Sequence, residues 1–171
     1  MQDFIQLILF ILPAYIANAV PVVLGGGQYL DFGMKFGDGE RIFGNGKTIR
    51  GFIAGVASGT VAAAILAIYL PLPFFANAQL QFFGGFMLAL GTMVGDAIGS
   101  SIKRRMKMQP GKQFVLDQLS FLIVALIFVF PFVNPSVYEP VGIVFLFVLT
   151  YLMHSGTNLL ANKMGLKSVP W

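Results

Sequence analysis

Charge is scarce in this chain: only 11% of its 171 residues are Asp, Glu, Lys or Arg, where a soluble domain carries about 25%. So few charges cannot cover a water-facing surface, so lipid must solvate much of the molecule. Cysteine is absent, which excludes a disulfide framework and thiolate metal sites and leaves the redox compartment open. A basic leader is lacking too. Met1 to Phe10 holds Asp3 but no Lys or Arg, so no cleavable signal peptide is expected. What is abundant is apolar: 57% of the residues are hydrophobic and the mean hydropathy is +0.80. The length fits one domain, 1–171.

A bilayer core needs about 20 apolar residues per helix. No residue between Arg50 and Asp96 is charged, which is room for two spans, and Pro71-Leu72-Pro73 breaks them because proline removes helix donors. From Gln118 to Asn162 the one formal charge is Glu139, with Pro131, Asn134, Pro135 and Pro140 marking a turn. The reading is an all-α integral membrane protein with helices near 3–24, 51–72, 79–103, 114–133 and 139–163. A polar, Gly-rich loop at 25–50 and a short basic loop at 104–113 join them.

Every positive charge falls on one side of that plan. The first loop holds Lys35, Arg41, Lys47 and Arg50; the second region holds Lys103, Arg104, Arg105, Lys107 and Lys112; the tail holds Lys163 and Lys167. The connections at 71–79 and 131–140 hold none. Lys/Arg-rich short loops stay cytoplasmic, so the N-terminus is expected outside and the C-terminus inside, in a multi-pass protein of the cell membrane. The net charge of +4 is then a topology signal rather than a nucleic-acid footprint, and no nucleic-acid partner is expected. Gly51, Gly55 and Gly59, and again Gly91, Gly95 and Gly99, recur at the spacing that brings helices close in lipid.

Ionisable groups inside a span are costly and usually functional. Asp96 sits seven residues before Lys103, so helical rise puts it roughly 10 Å from the basic loop. Thr92, Ser100 and Lys103 share its face, and the glycines beside it suggest open backbone room. The structural alternative is an ion pair with Lys103 or Arg104. Asp117 opens the next helix, where a helix N-terminal acid is equally expected. Together the two suit a metal site, because Mg²⁺ takes one or two protein carboxylates and leaves the rest of its shell to phosphates and water. Thr150, His154, Asn158 and Asn162 form a polar stripe on the last helix and suggest a lined cavity, with Asn18 as a weaker member. The run Gly44-Asn45-Gly46-Lys47-Thr48 invites a P-loop reading, but the required first glycine is Arg41. What remains is a flexible basic loop whose Lys47, Thr48 and Arg50 suit phosphate through charge-assisted bonds. From the residues alone, the expectation is a cytoplasm-facing, metal-dependent site for a phosphorylated substrate, opening into the bilayer.

Several segments resemble a known family. Gly95-Asp96, Ser100 or Ser101, Lys103-Arg104, Pro110-Gly111 and Leu116-Asp117 are similar to the signature of integral-membrane CTP:phosphatidate cytidylyltransferases. The short length, Pro13 through Asn18 to Gly25-Gly26-Gly27, Gly46 to Gly51 and Gly165 to Trp171 resemble its archaeal branch, the CDP-archaeol synthases. The resemblance implies a Mg²⁺-dependent transfer of CMP from CTP to an unsaturated archaeal ether-lipid phosphate, 2,3-bis-O-geranylgeranylglycerol 1-phosphate. It implies Asp96 and Asp117 as catalytic metal ligands. Lys47, Thr48, Arg50, Lys103 and Arg104 become phosphate contacts, and Asn18, Ser100, His154 and Asn158 join them as substrate-binding candidates. Where the broad family has an Asp-Arg pair with a further acid, this chain reads Asp117-Gln118-Leu119-Ser120. The bacterial Lys-Asp pair is missing from Met106–Lys112. Both departures favour the archaeal branch. Another membrane prenyl- or glyceryl-phosphate transferase and a non-catalytic transporter subunit remain the rival readings, and homo-oligomerisation is left open. A transporter predicts polar groups along a full path, whereas 61–90 and 121–149 are almost purely apolar.

Overall fold

A computed structural model describes residues 3–108 and 115–165, with side chains from 119 onward in the second segment. Its α-helices are α1 (Phe4–Leu24), α2 (Ile49–Tyr69), α3 (Ala78–Arg105), α4 (Val115–Val129) and α5 (Pro140–Lys163). Four are long and apolar enough to cross a membrane, and α4 contributes a shorter apolar stretch, Leu119–Phe132. The protein is thus an all-α, multi-pass bundle, as its sequence led us to expect.

The helix ends follow local chemistry. Leu70 ends α2 before Pro71 rather than at 72, because a residue preceding proline is pushed out of the helical region. The Pro71–Pro73 turn leaves backbone groups without helical partners, and the buried Gln81 side chain meets two of them. It accepts from Leu72 N and donates to Leu70 O, both at 2.9 Å. At Pro131 the missing N–H stops the α ladder of α4, and a 3₁₀ turn, Phe130–Phe132, takes over. Thr48 caps α2, so the helix starts earlier than expected and Arg50 lies on its first turn rather than in the loop. Likewise Arg104 and Arg105 belong to α3, not to the loop after it.

Glycine governs the packing. Gly51, Gly55 and Gly59 are buried along α2. A Cβ at Gly55 would meet Ala17 O at 2.7 Å, and one at Gly59 would meet Pro13 O at 2.7 Å. On α3 the outcome corrects an expectation. Gly91 and Gly95 do not open room beside Asp96, since α4 fills it: a Cβ at Gly95 would lie 2.6 Å from Ser120 O and 2.7 Å from Phe121 Cα. Association in lipid relies on close packing of small residues, and these contacts are that packing. Helix α5 is different. Of its 24 residues only Gly142, Leu146, Thr150 and Asn158 are buried, so it lies at the margin of the bundle.

Residues 25–48 form a folded unit rather than the flexible loop expected. An antiparallel bridge joins Tyr29 to Thr48 and another joins Lys35 to Arg41. At their centre Asp31, only 1% exposed, accepts from Gly33 N at 3.0 Å and Phe43 N at 3.1 Å and pairs with Arg41. Burial by itself would raise this carboxyl, but the Arg41 guanidinium and the two amides outweigh it and hold Asp31 below the usual carboxylate range. Arg105, on the last turn of α3, donates to Asp38 Oδ1 at 3.0 Å and to Arg41 O at 2.7 Å. The loop is therefore clasped to α3.

Candidate active site

A cavity of about 630 Å³ lies between α1, α3 and α5, under the start of α2 and the end of the clasped loop. That volume is in the range of small-molecule sites, about 300–1,000 Å³. Its wall holds Asp96 and Ser100 from α3, Lys47 and Thr48 from the loop, and Asn18 from α1. Thr150, His154 and Asn158 of α5 add further polar groups. Side chains spread over most of the sequence thus meet in one space.

The centre of the site is an ion pair. Lys47 Nζ donates to Asp96 Oδ2 at 2.5 Å, with the two side chains 23% and 19% exposed. Asp96 therefore pairs across to the first loop, not along its own helix to Lys103 or Arg104 as the structural alternative supposed. The pairing makes sense in cost terms, because an uncompensated carboxylate at this depth would be far more expensive than a partnered one. Lys103, Arg104 and Arg105 finish α3 about two turns beyond Asp96.

The α5 wall is organised by short hydrogen bonds. Thr150 Oγ1 and Tyr15 OH lie 2.8 Å apart, tying α5 to α1. His154 Nδ1 and Asn158 Nδ2 lie 3.0 Å apart, and the His154 ring stacks on Phe121 with centroids 5.8 Å apart. Part of the lining is apolar and exposed: Val22 and Val23 of α1, Met153 and Leu160 of α5, and Met164 just after it. The cavity thus holds a cluster of polar side chains in a largely apolar wall, with an exposed apolar edge on α1 and α5.

Other expected residues stand differently. Thr48 lines the cavity, yet its hydroxyl already accepts from Gly51 N at 3.1 Å and Gly26 N at 3.2 Å. Arg50 is exposed on the first turn of α2 and does not line the cavity. Lys103 is half-buried at the end of α3, outside the lining. Arg104 is also outside it; the Arg104 side chain lies along Gly44, and Nη1 reaches Met108 O at 3.5 Å. Asn162 likewise lies off the wall. Asp117 lies on the first turn of α4, and its side chain is outside the described residues. Sequence reading missed Tyr15 and Thr157, both lining residues. An intramembrane tyrosine at helical spacing from Asn18 was the available signal for Tyr15.

The donor set suits a hard divalent cation supplied with substrate. Mg²⁺ uses one or two protein carboxylates and keeps its other positions for phosphate oxygens and water. Asp96 is one such carboxylate, facing an open cavity. Among the described residues no group of three or more His, Cys, Asp or Glu forms an all-protein cage.

Comparison with known proteins identifies the family. The family described as CarS-like, CDP-archaeol synthase, matches residues 1–171. CDP-archaeol synthase of Pyrococcus furiosus is 48% identical over 172 residues, covering 100% of both chains. That of Pyrococcus horikoshii is 46% identical, covering 100% of this chain and 99% of its own. A solved structure, reported as an intramembrane enzyme for archaeal membrane lipids biosynthesis, superposes with a TM-score of 0.72. It is 34% identical and the match covers 94% of each chain. A family match along the whole chain, together with relatives 46–48% identical over nearly their full length, shows that the chain belongs to the CarS-like CDP-archaeol synthase family of membrane nucleotidyltransferases.

Proposed function

We propose that the cavity transfers CMP from CTP to 2,3-bis-O-geranylgeranylglycerol 1-phosphate, giving CDP-archaeol and pyrophosphate, on the cytoplasmic side of the cell membrane. The observation that carries this is the Lys47–Asp96 pair lining a cavity with an apolar edge between α1 and α5. A nucleotide arrives from water, whereas a lipid phosphate keeps its chains in hydrocarbon; a site serving both must be open to each.

In the reaction an oxygen of the lipid phosphate forms a bond to the α-phosphorus of CTP. The bond from that phosphorus to the bridging oxygen breaks, and its electron pair leaves on pyrophosphate. Such transfers ask for positioning and charge stabilisation more than covalent chemistry. Asp96, joined by Asp117 as the family resemblance implies, would hold Mg²⁺, which when bound neutralises phosphate charge. Lys47 shifts from Asp96 toward the triphosphate when the nucleotide enters, an exchange of one anionic partner for another. Arg50, Lys103 and Arg104 supply positive potential at the mouth. Asn18, Ser100, His154 and Asn158 offer hydrogen bonds to the polar parts of the substrates, and the Tyr15–Thr150 bond ties α5 to α1 and so fixes the width of the site.

Purified protein incubated with radiolabelled CTP, Mg²⁺ and the archaeal lipid phosphate tests this. Label should pass into the lipid and pyrophosphate should be released. Labelling of a prenyl phosphate but not of the archaeal lipid phosphate, or of no lipid, would overturn the reading.

A further inference from the structure

We propose that Asp31 is a positioning residue for the transfer: from outside the cavity it sets the chain segment that carries Lys47 against Asp96. The inference rests on the reading of Lys47 as a CTP contact and extends it to residues that touch no substrate.

Asp31 does not line the cavity, yet it is nearly fully buried and engages Gly33 N, Phe43 N and Arg41. Its neighbour Leu30 donates N–H to Lys47 O at 2.9 Å, and Ile49 N donates to Gln28 O at 3.0 Å. Residues 28–30 are thereby the strip on which Lys47 is laid. Arg41, held by Asp31, adds one contact to that strip and one to the segment that carries Lys47. Its guanidinium lies 3.7 Å over the Tyr29 ring, and Nη1 donates to Asn45 Oδ1 at 2.8 Å, two residues before Lys47. Arg105 then fastens Arg41 O and Asp38 to the end of α3, the helix that presents Asp96. A continuous set of contacts therefore runs from Asp31 to both members of the ion pair. Removing one charge from a buried pair leaves the other uncompensated, so Arg41 would let go of Tyr29 and Asn45, and Lys47 would lose its fixed approach. A long lysine on an untethered segment spreads over many rotamers, which weakens triphosphate binding without touching the lipid edge.

The test is steady-state kinetics with CTP and lipid phosphate varied separately, on Asp31→Asn, Arg105→Gln, Lys47→Met and the doubles with Lys47→Met. Asp31→Asn is expected to raise KM for CTP about tenfold while KM for the lipid phosphate stays within about twofold. In the Lys47→Met background the same change should add less than about twofold, because residues acting through one contact are not additive. Arg105→Gln, at a more exposed site that threatens folding less, should show the same CTP-selective rise and carries the test if Asp31→Asn does not fold. Equal losses for both substrates, a fall in kcat alone, or effects that multiply with Lys47→Met would overturn the proposal. If Lys47→Met leaves KM for CTP unchanged, the assignment of Lys47 fails and this proposal with it. If Lys47→Met is CTP-selective but Asp31→Asn and Arg105→Gln are neutral, only the positioning role fails.

Discussion

Asp96 is a carboxylate at the floor of a membrane cavity whose oxygen already touches an ammonium, and this shapes what its substitution should do. Asparagine keeps the size and deletes the hard anion. Lys47 is left without a counter-charge, yet it is part-exposed to the cavity and can hydrate, so the fold should survive. We expect Asp96→Asn to slow CTP turnover at least about tenfold, equivalent to about 1.4 kcal/mol on the barrier, with little change in melting temperature in detergent. The family resemblance extends the same expectation to Asp117→Asn. Initial rates on the purified variants decide; wild-type rates in both would return them to structural roles. A matching expectation concerns the ion. Chelator should abolish turnover and added Mg²⁺ restore it, because carboxylates and a triphosphate, all anionic, repel one another unless a divalent cation offsets their charge. Full activity in chelator, with no divalent ion carried through purification, would remove Mg²⁺ from the reaction.

Helices α3 and α4 meet backbone to backbone, and here a single methyl group should matter. A Cβ at Gly95 would lie 2.6 Å from Ser120 O and 2.7 Å from Phe121 Cα, atoms that cannot swing away as a side chain does. Gly95→Ala should cost about 1–3 kcal/mol, the usual penalty of overpacking. Gly156→Ala, where a Cβ meets nothing within 4 Å, should be neutral or stabilising. Thermal unfolding of both in one detergent checks the contrast, and equal melting temperatures would show that α3 and α4 are not so closely joined. The loop at 25–48 has its own signature in acid. Its carboxylate Asp31 is held below its usual value, so its contribution is complete above the unfolded value of about 3.9 and is lost as pH falls through the lowered one. Pepsin should therefore spare the loop at about pH 4 and cut it progressively faster as the pH is lowered further. Rapid cleavage already at about pH 4 would mean that the Asp31 cluster does not hold it.

Among the described residues of the whole molecule the basic side chains collect at one end of the bundle. Arg105 meets the first loop, Lys47 meets Asp96, and the far end is joined separately by Asn134 N donating to Phe74 O at 2.8 Å. Lys/Arg bias then predicts which end faces the cytoplasm. The chain has no cysteine, so single cysteines placed at Ala76, Ser136 and Lys107 report without background. Impermeant labelling of intact cells should reach the first two and miss the third. Labelling at 107 alone would invert the orientation and leave the cavity out of reach of cytosolic CTP.

The helices and the segregation of charge were legible from sequence because both are local. Span length answers to bilayer thickness, proline to its missing N–H, and each lysine or arginine to the loop that contains it. The same locality made Asp96 and the stripe Thr150, His154, Asn158 visible, since an ionisable or polar group in an apolar run stands out without knowledge of its neighbours. Pairing across the chain was not legible. That Asp96 meets Lys47, 49 positions away in sequence, rather than Lys103 depends on how α3 sits against the first loop. That Gly95 is filled by α4, that Arg104 lies along Gly44 instead of in the cavity, and that Asp31 sits buried at the centre of a folded loop depend on the same assembly. Composition and periodicity determine which segments leave water; only the packed bundle decides which polar groups then have each other as the nearest available partners.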